Sequence, residues 1–219
     1  MIQATFGLAE TAKAFDVPSL AACYGSWVGV RSNHVLDAHG NFSGSDGSSR
    51  SISTKEDREL LLALRSISDL IVVDASTARL EQYRAPKSRT PLAIFSLSGD
   101  FTNIPAVENS LSPTYLFTGN GSPQCSENSK AIIVQASESP FKGFLEWAEA
   151  QSLEAILLEA GPTLTAKAFE AGIVRQSAVT RTGLLPNADP FLVPNPFDAQ
   201  AKLISLALAP GASFSLWNH

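Results

Sequence analysis

The chain has 219 residues, of which 44% are hydrophobic and 17% are charged, and its formal net charge is −5. This composition is that of a globular protein with one sizeable core. The Lys and Arg residues are scattered, so the sequence has no basic patch of the kind that binds nucleic acid. No apolar run approaches the roughly 20 residues that span a bilayer. We therefore expect neither a nucleic-acid partner nor membrane association.

The residues that usually bind metals or form disulfides are few and far apart. Cys23 and Cys125 are the two cysteines, and they lack metal-ligand spacing. The three histidines, His34, His39 and His219, form no HxxxH or similar cluster. We expect no metal site, two free thiols and a cytoplasmic location.

The first quarter of the sequence predicts an N-terminal arm over 1–25, a strand and a helix. Residues 1–15 have the spacing of a short amphipathic helix, and the β-branched segment 26–36 predicts the first strand. The Gly- and Ser-rich segment 37–53 predicts a long loop. Thr54 is the expected cap of the helix that follows, with Asp57 three residues later.

The rest of the chain alternates short apolar segments with helical patterns, and a proline-rich loop over 184–197 follows. The predicted strands are 69–77, 91–97, 113–118, 130–135, 154–159 and 173–183. Helices are predicted from Ser139-Pro140 through 151 and over 163–172, where Gly172 is the end signal. A closing strand or hairpin is predicted over 201–217.

This order of elements predicts an α/β fold with a mostly parallel central sheet flanked by helices, and with antiparallel strands at the C-terminal edge. Ligands bind beyond the carboxyl ends of the strands in such sheets. Three polar segments follow predicted strands and are therefore candidate sites: the loop after residue 36, Asp74–Thr77 and Glu159–Thr165.

Each candidate motif has a plainer interpretation. Gly161 with Thr163 and Thr165 would hold a pyrophosphate at a helix N-terminus, or Gly161-Pro162 is only a turn. Thr77 and Glu81 face a ligand, or they are a hydroxyl cap and an exposed acid. Arg65 is a further candidate for ligand binding.

Arg65, near the end of a helix with an apolar stripe, reaches toward a phosphate or points into water. The glycine-rich loop after the first strand either closes over a substrate or is a surface loop. No dinucleotide fingerprint, Walker loop or nucleophile elbow is present in the sequence.

Taken in order, four segments resemble the riboflavin-biosynthesis reductase family, which is the reductase domain of the bifunctional deaminase–reductase. They are VRSNHVLDAHG, STKEDRELLLALRSISDLIVVDASTARLEQY, ILLEAGPTLTAKAFEAGIV and the closing strands. The resemblance covers roughly residues 28–216 and implies a dihydrofolate-reductase-like fold in a single domain over 1–219, without a deaminase domain.

The resemblance also implies an activity: NADPH-dependent reduction of a ribosylamino-pyrimidine phosphate, as in 5-amino-6-(5-phosphoribosylamino)uracil reductase. The positions implied to bind the cofactor are Thr77, Glu81, Gly161, Pro162, Thr163, Leu164 and Thr165. The positions implied to bind the substrate are Ser49, Arg65 and Glu159, with Arg65 toward the ribose phosphate. The partner is a small molecule, and a homodimer is expected.

Three departures from the family pattern keep other functions open. His39 replaces the usual acidic residue, Asp74 stands at a strand end near the expected cofactor phosphates, and Ala160 stands where the family has glycine. One alternative is a non-catalytic or divergent homologue that keeps the fold and binds a nucleotide or another small substrate. A reductase for a different substrate, with His39 as proton donor, is the other. The sequence leaves open the substrate, the choice between NADPH and NADH, and the stereochemistry of hydride transfer.

Overall fold

The computed structural model describes residues 2–7, 14–84, 89–108, 112–119, 122–134, 140–185 and 195–219. The helices are α1 (Val17–Tyr24), α2 (Lys55–Ser66), α3 (Ala75–Leu80), α4 (Pro105–Glu108), α5 (Pro140–Ala150) and α6 (Pro162–Glu170). The strands are β1 (Ile2–Phe6), β2 (Ala14–Phe15), β3 (Gly29–Leu36), β4 (Leu70–Asp74), β5 (Leu92–Ser96), β6 (Thr114–Thr118), β7 (Ile132–Val134), β8 (Ala155–Leu158), β9 (Val174–Thr182), β10 (Lys202–Ala209) and β11 (Ala212–Asn218).

The chain divides into two compact units. The first comprises residues 1–64 and 174–219, and its strands follow the order β2-β1-β10-β11-β9-β3. The pair β3 and β9 is parallel, whereas β9, β11, β10, β1 and β2 are joined by antiparallel pairings. The last two strands form the hairpin that the sequence predicts over 201–217.

The second unit comprises residues 65–173, and its strands follow the order β8-β4-β5-β6-β7. Each neighbouring pair in this unit is parallel. Parallel strands need crossover connections, which helices provide, and both faces of the sheet are therefore covered. This explains why β4 and β5 are buried almost throughout rather than alternating between core and solvent.

Alternate residues of these strands serve two different layers, because successive side chains of a strand point to opposite faces. Ile94 and Leu116 join a buried cluster with Ala78 of α3 and Val107 of α4. Their neighbours Phe95 and Phe117 stack with ring centroids 4.9 Å apart, and both meet Phe144 of α5 edge-on. The two layers hold the carboxyl ends of the strands in fixed positions.

The predicted fold class is confirmed, and most predicted elements lie within a few residues of the observed ones. Thr54 caps α2, since its Oγ1 accepts a hydrogen bond from the Asp57 amide at 3.2 Å. Gly172 has φ +65° and follows Ala171, the C-cap of α6, as a helix-ending glycine does. The predicted loop over 184–197 falls largely on 186–194, which lies outside the described residues, as does Ser139.

The N-terminal prediction is wrong where the structure describes the segment. Residues 2–6 form β1, which pairs antiparallel with β10, and 14–15 form β2 rather than part of an amphipathic helix. Local helical spacing is overridden here because pairing with β10 satisfies the backbone N–H and C=O groups of the segment.

Candidate functional site

Two carboxylates lie at the carboxyl ends of neighbouring strands in the second unit. Asp74 is the last residue of β4, and Glu159 comes directly after β8. The strands are parallel with Val72 opposite Leu158, and the Glu159 amide donates to the Val72 carbonyl at 2.8 Å. Both acids therefore lie at the carboxyl edge of the sheet, where the fold predicts ligand binding.

Glu159 is held by Arg65 from the last turn of α2 and by Tyr83. Arg65 Nε donates to Glu159 Oε1 at 2.8 Å and to Oε2 at 3.1 Å, and its Nη2 also donates to Oε2. The Tyr83 hydroxyl donates to Oε2 at 2.6 Å and accepts from Arg65 Nη2 at 2.7 Å. The three side chains form one closed network, within which the fork geometry of arginine suits the carboxylate.

This network is largely removed from water, since the exposed fraction of the side chain is 5% for Glu159 and 19% for Arg65. Burial acts to lower the pKa of Arg65, but the neighbouring carboxylate and phenol outweigh it and raise that pKa above its ordinary value. Burial, reinforced by the charge of Glu159, raises the pKa of Tyr83 well above its usual range. At neutral pH Arg65 is thus cationic and Tyr83 keeps its proton.

One of the three guanidinium nitrogens of Arg65, Nη1, differs from the other two. Among the described residues, Nη1 of Arg65 has no hydrogen-bond partner, and it is not one of the fully buried unpaired atoms. Its two N–H groups therefore take no part in the network with Glu159 and Tyr83.

Asp74 caps α3 and also reaches the start of α6. Its Oδ1 accepts from the Thr77 amide at 2.8 Å and from the Ser76 hydroxyl. Its Oδ2 accepts from the Thr77 hydroxyl at 2.8 Å and from the Gly161 amide at 2.6 Å. Partial burial opposes ionisation of Asp74, but these hydrogen bonds outweigh it and lower its pKa. The N-cap of α3 is therefore Asp74 and not Thr77.

The start of α6 offers only part of the predicted cofactor segment to a ligand. Gly161 is the N-cap and supplies no side-chain cap, and Pro162 and Thr163 are exposed. Leu164 and Thr165 are buried, and the Thr165 hydroxyl donates to the Ala160 carbonyl at 3.0 Å. Ligand contacts at this point would therefore come from the first three residues.

One departure from the family pattern, Ala160, and one predicted cofactor position, Glu81, are both buried. Ala160 is 3% exposed, and its φ is not positive, so its methyl group causes no backbone strain. Glu81 is buried at the end of α3 rather than exposed, and its amide donates to the Thr77 carbonyl at 2.9 Å.

The remaining predicted residues belong to the first unit. Ser49 begins a short 3₁₀ turn, and its carbonyl accepts from the Ser53 amide at 3.0 Å. His39 is exposed in a turn organised by Asp37, whose Oδ1 accepts from the amides of His39 and Asn41 at 2.8 Å each. The structure thus brings together Arg65 with Glu159, and Thr77 with Gly161.

Sequence reasoning missed Tyr83, which bridges both members of the ion pair. Its signal was an aromatic residue with a polar tip just beyond α3, the helix that follows a buried strand end. Within the described ranges, no group of three or more metal-ligating side chains comes together. In the same part of the chain, no helix has the length and apolar character required to cross a membrane.

No protein-family model matches the sequence, and no curated protein matches it. Solved structures do match. A pyrimidine reductase-like protein from Corynebacterium diphtheriae gives a TM-score of 0.66 at 21% identity, over 93% of this chain and 98% of its own. The riboflavin biosynthesis reductase of Saccharomyces cerevisiae gives 0.58 at 10% identity, over 88% of this chain and 90% of its own.

A third match is a bifunctional diaminohydroxyphosphoribosylaminopyrimidine deaminase/5-amino-6-(5-phosphoribosylamino)uracil reductase from Thermotoga maritima. Its TM-score is 0.68 at 12% identity, and the alignment covers 92% of this chain but 59% of the Thermotoga chain. The protein therefore has the fold of the pyrimidine and riboflavin-biosynthesis reductases, as the resemblance implied.

Proposed function

We propose that the protein is a reductase that uses NADPH to reduce a ribosylamino-pyrimidine phosphate, such as 5-amino-6-(5-phosphoribosylamino)uracil, or a related small molecule. The observation that carries this proposal is the Arg65 guanidinium, held by Glu159 and Tyr83 at the carboxyl edge of a parallel sheet. The shared fold with reductases over nearly the whole chain supports it.

In this proposal the side chains bind and orient the substrate. The cofactor, when bound, supplies a hydride, so few protein groups need to transfer protons. Arg65 donates through Nη1 to an anionic or carbonyl oxygen of the substrate. Glu159 and Tyr83 keep the guanidinium plane fixed, which spares the substrate the entropy cost of ordering it. Ser49 stays a predicted substrate contact, and His39 stays a candidate proton donor.

The fit to the cofactor is incomplete at one point. Thr77, Glu81 and the segment from Gly161 to Thr165 are the proposed cofactor positions, but the Gly161 amide already donates to the Asp74 carboxylate at 2.6 Å. An anionic phosphate at this amide would lie beside a second anion. The start of α6 therefore does not fit a cofactor phosphate while Asp74 keeps this contact.

The same observation favours a second candidate function. A chain whose phosphate-binding amide is bonded internally would serve as a non-catalytic homologue that binds a different small molecule at the Arg65 side. The two candidates differ in a simple property, which is affinity for a nicotinamide dinucleotide.

Titration of the purified protein with NADPH and with NADH, followed by fluorescence and thermal shift, separates them. Saturable binding of NADPH, followed by its oxidation on addition of the ribosylamino-pyrimidine phosphate, is the result expected of the reductase. The absence of binding at millimolar NADPH would contradict the reductase and leave the non-catalytic candidate.

The role of Arg65 is tested by Arg65→Lys, which keeps the charge but loses the planar fork. We expect KM for the substrate to rise by about tenfold, the effect of losing one charged hydrogen bond. Arg58→Lys is the matched control, because Arg58 lies on the same helix and donates to the Ser53 carbonyl at 2.8 Å away from the ion pair. Equal kinetics of both variants would remove Arg65 from the substrate site.

A homodimer in the cytoplasm also remains part of the proposal, on the strength of the resemblance alone. Sedimentation equilibrium of the purified protein measures the oligomeric state directly. A monomer at micromolar concentration would contradict the expected dimer without bearing on the fold.

A further inference from the structure

We propose that Asp74 is an internal competitor of the cofactor's phosphate: its carboxylate occupies the amide at the start of α6 and must be displaced before a pyrophosphate binds there. This inference rests on the proposed function, because it concerns how a phosphate-bearing cofactor reaches this edge of the sheet.

Both oxygens of the Asp74 carboxylate already accept hydrogen bonds. Asp74 bonds four donors, two on each oxygen, and one of them is the Gly161 amide 87 residues further along the chain. Gly161 has no side-chain cap of its own, so Asp74 supplies from another strand end the acceptor that helix starts require. The acceptor is in the position that a phosphate oxygen would take.

The negative charge of Asp74 is not neutralised by the groups that bond it. The donors around Asp74 are two amides and two hydroxyls, and none of them is cationic. The carboxylate therefore keeps its full negative charge at the positive end of the α6 dipole. A pyrophosphate brought to the same helix start would meet this charge at short range, where the medium screens poorly.

Asp74 and Thr77 also fill the space beside the Gly161 backbone. A Cβ atom built on Gly161 would lie 2.7 Å from Thr77 Oγ1 and 3.3 Å from Asp74 Oδ2. The Asp74–Thr77 pair thus packs directly against the Gly161 backbone. A phosphate oxygen could reach that amide only after the Asp74 side chain has turned away.

The protein then has a self-capped state and a state able to bind phosphate, and the observed affinity is reduced by the fraction in the self-capped state. Replacing Asp74 by a residue that still caps α3 but releases Gly161 should tighten binding. Asp74→Asn keeps an acceptor for the Thr77 amide and removes the charge. Asp74→Ser also caps α3 and is too short to reach Gly161 in the same way.

The experiment measures the dissociation constants of NADPH and ADP-ribose, which carries the pyrophosphate without the nicotinamide, by calorimetry. We expect both Asp74 variants to bind each ligand about tenfold more tightly than the original chain, since one like charge has been removed. Asp69→Asn is the matched control, because Asp69 Oδ2 accepts from the amides of Glu154 and Ala155 at 2.9 and 2.8 Å. It removes the same charge at the opposite ends of the same two strands and should leave both constants unchanged.

The outcomes distinguish this inference from the proposed function. If the original chain and both Asp74 variants bind NADPH equally well, the competitor role is overturned and the reductase proposal stands. If none of them binds NADPH or ADP-ribose at millimolar concentration, both are overturned. A similar gain in Asp69→Asn would assign the effect to net charge and also overturn the inference. Circular dichroism of each variant shows which one is folded, and either Asp74 variant suffices for the test.

Discussion

Asp74 and Glu159 occupy equivalent places, at the ends of neighbouring parallel strands, yet their surroundings give them opposite properties. Glu159 is bonded to the Arg65 guanidinium and the Tyr83 hydroxyl, so its charge is balanced. Asp74 is bonded to amides and hydroxyls, so its charge is solvated by dipoles but not neutralised. The donors around a carboxylate at a strand end therefore decide whether its charge is neutralised by a cation, as for Glu159, or only stabilised by dipoles, as for Asp74.

The largest effect is expected from breaking the balanced carboxylate. Glu159→Ala leaves the mostly buried Arg65 guanidinium without its counter-charge, and the free energy of unfolding should fall by about 3 to 5 kcal/mol. Urea unfolding followed by circular dichroism measures the loss. Glu154→Ala is the control at the other end of β8, because Glu154 directly precedes this strand, is exposed and should change stability by less than about 0.5 kcal/mol.

The coupling of the pair can be isolated in a double-mutant cycle with Arg65→Met. Removing both charges should cost less than the sum of the two single changes, because neither partner is then left buried alone. Additive losses would mean that the pair does not stabilise the folded protein as a unit.

A smaller loss is expected when only the bridging phenol is trimmed. Tyr83→Phe removes one hydrogen bond to a carboxylate and one acceptor for Arg65, and stability should fall by about 2 kcal/mol. Tyr115→Phe is the matched control, since the Tyr115 ring packs on Trp147 and no hydrogen bond of its hydroxyl is found among the described residues. Equal stabilities of the two variants would show that Tyr83 contributes only its ring.

Replacing Asp74 should lower the stability of the protein less than replacing Glu159, and it should increase the affinity for NADPH. Asp74→Ala removes the N-cap of α3 and the acceptor at Gly161, and we expect a loss of about 1 kcal/mol in the free energy of unfolding. The same change should tighten NADPH binding, as argued for the capping variants. Thermal unfolding and a binding titration on one preparation measure the change in stability and the change in NADPH affinity. Weaker NADPH binding by Asp74→Ala would contradict the competitor role of Asp74.

The smallest effect concerns pH. The pKa of Asp74 is lowered from 3.8 because its hydrogen bonds outweigh partial burial. An acid with a lowered pKa in the folded state stabilises fully above its unfolded pKa and loses that contribution as the pH falls through the folded value. The stability difference between the original chain and Asp74→Ala should therefore be constant near neutral pH and shrink below about pH 4. A difference that stays constant down to pH 2.5 would contradict ionisation of Asp74 as its source.

Much of the fold was predictable because its signals are local. The apolar segments of β4, β5 and β8, the Thr54 cap and the Gly161-Pro162 helix start each depend on residues close in sequence. The N-terminal segment was not predictable in this way. Its strand state depends on pairing with β10, roughly 200 residues away, which no local pattern reports.

The candidate site was predictable as a set of positions but not as a set of contacts. Polar residues after apolar segments indicated Asp74, Thr77 and Glu159, since parallel strands expose their carboxyl ends together. Nothing in the sequence paired Arg65 with Glu159, which lies 94 positions further along the chain. The resemblance directed both Arg65 and Glu159 toward the substrate and did not pair them with each other.

The sequence by itself determined which side chains stand at the strand ends, because alternation of apolar segments and helix caps is written in neighbouring residues. The tertiary structure alone decided what those side chains do. The register of β4 against β8 brings the Gly161 amide to Asp74, and the last turn of α2 brings the Arg65 guanidinium to Glu159. A charge is balanced or left unbalanced by donors from distant segments, and only the folded chain brings those donors within hydrogen-bond distance.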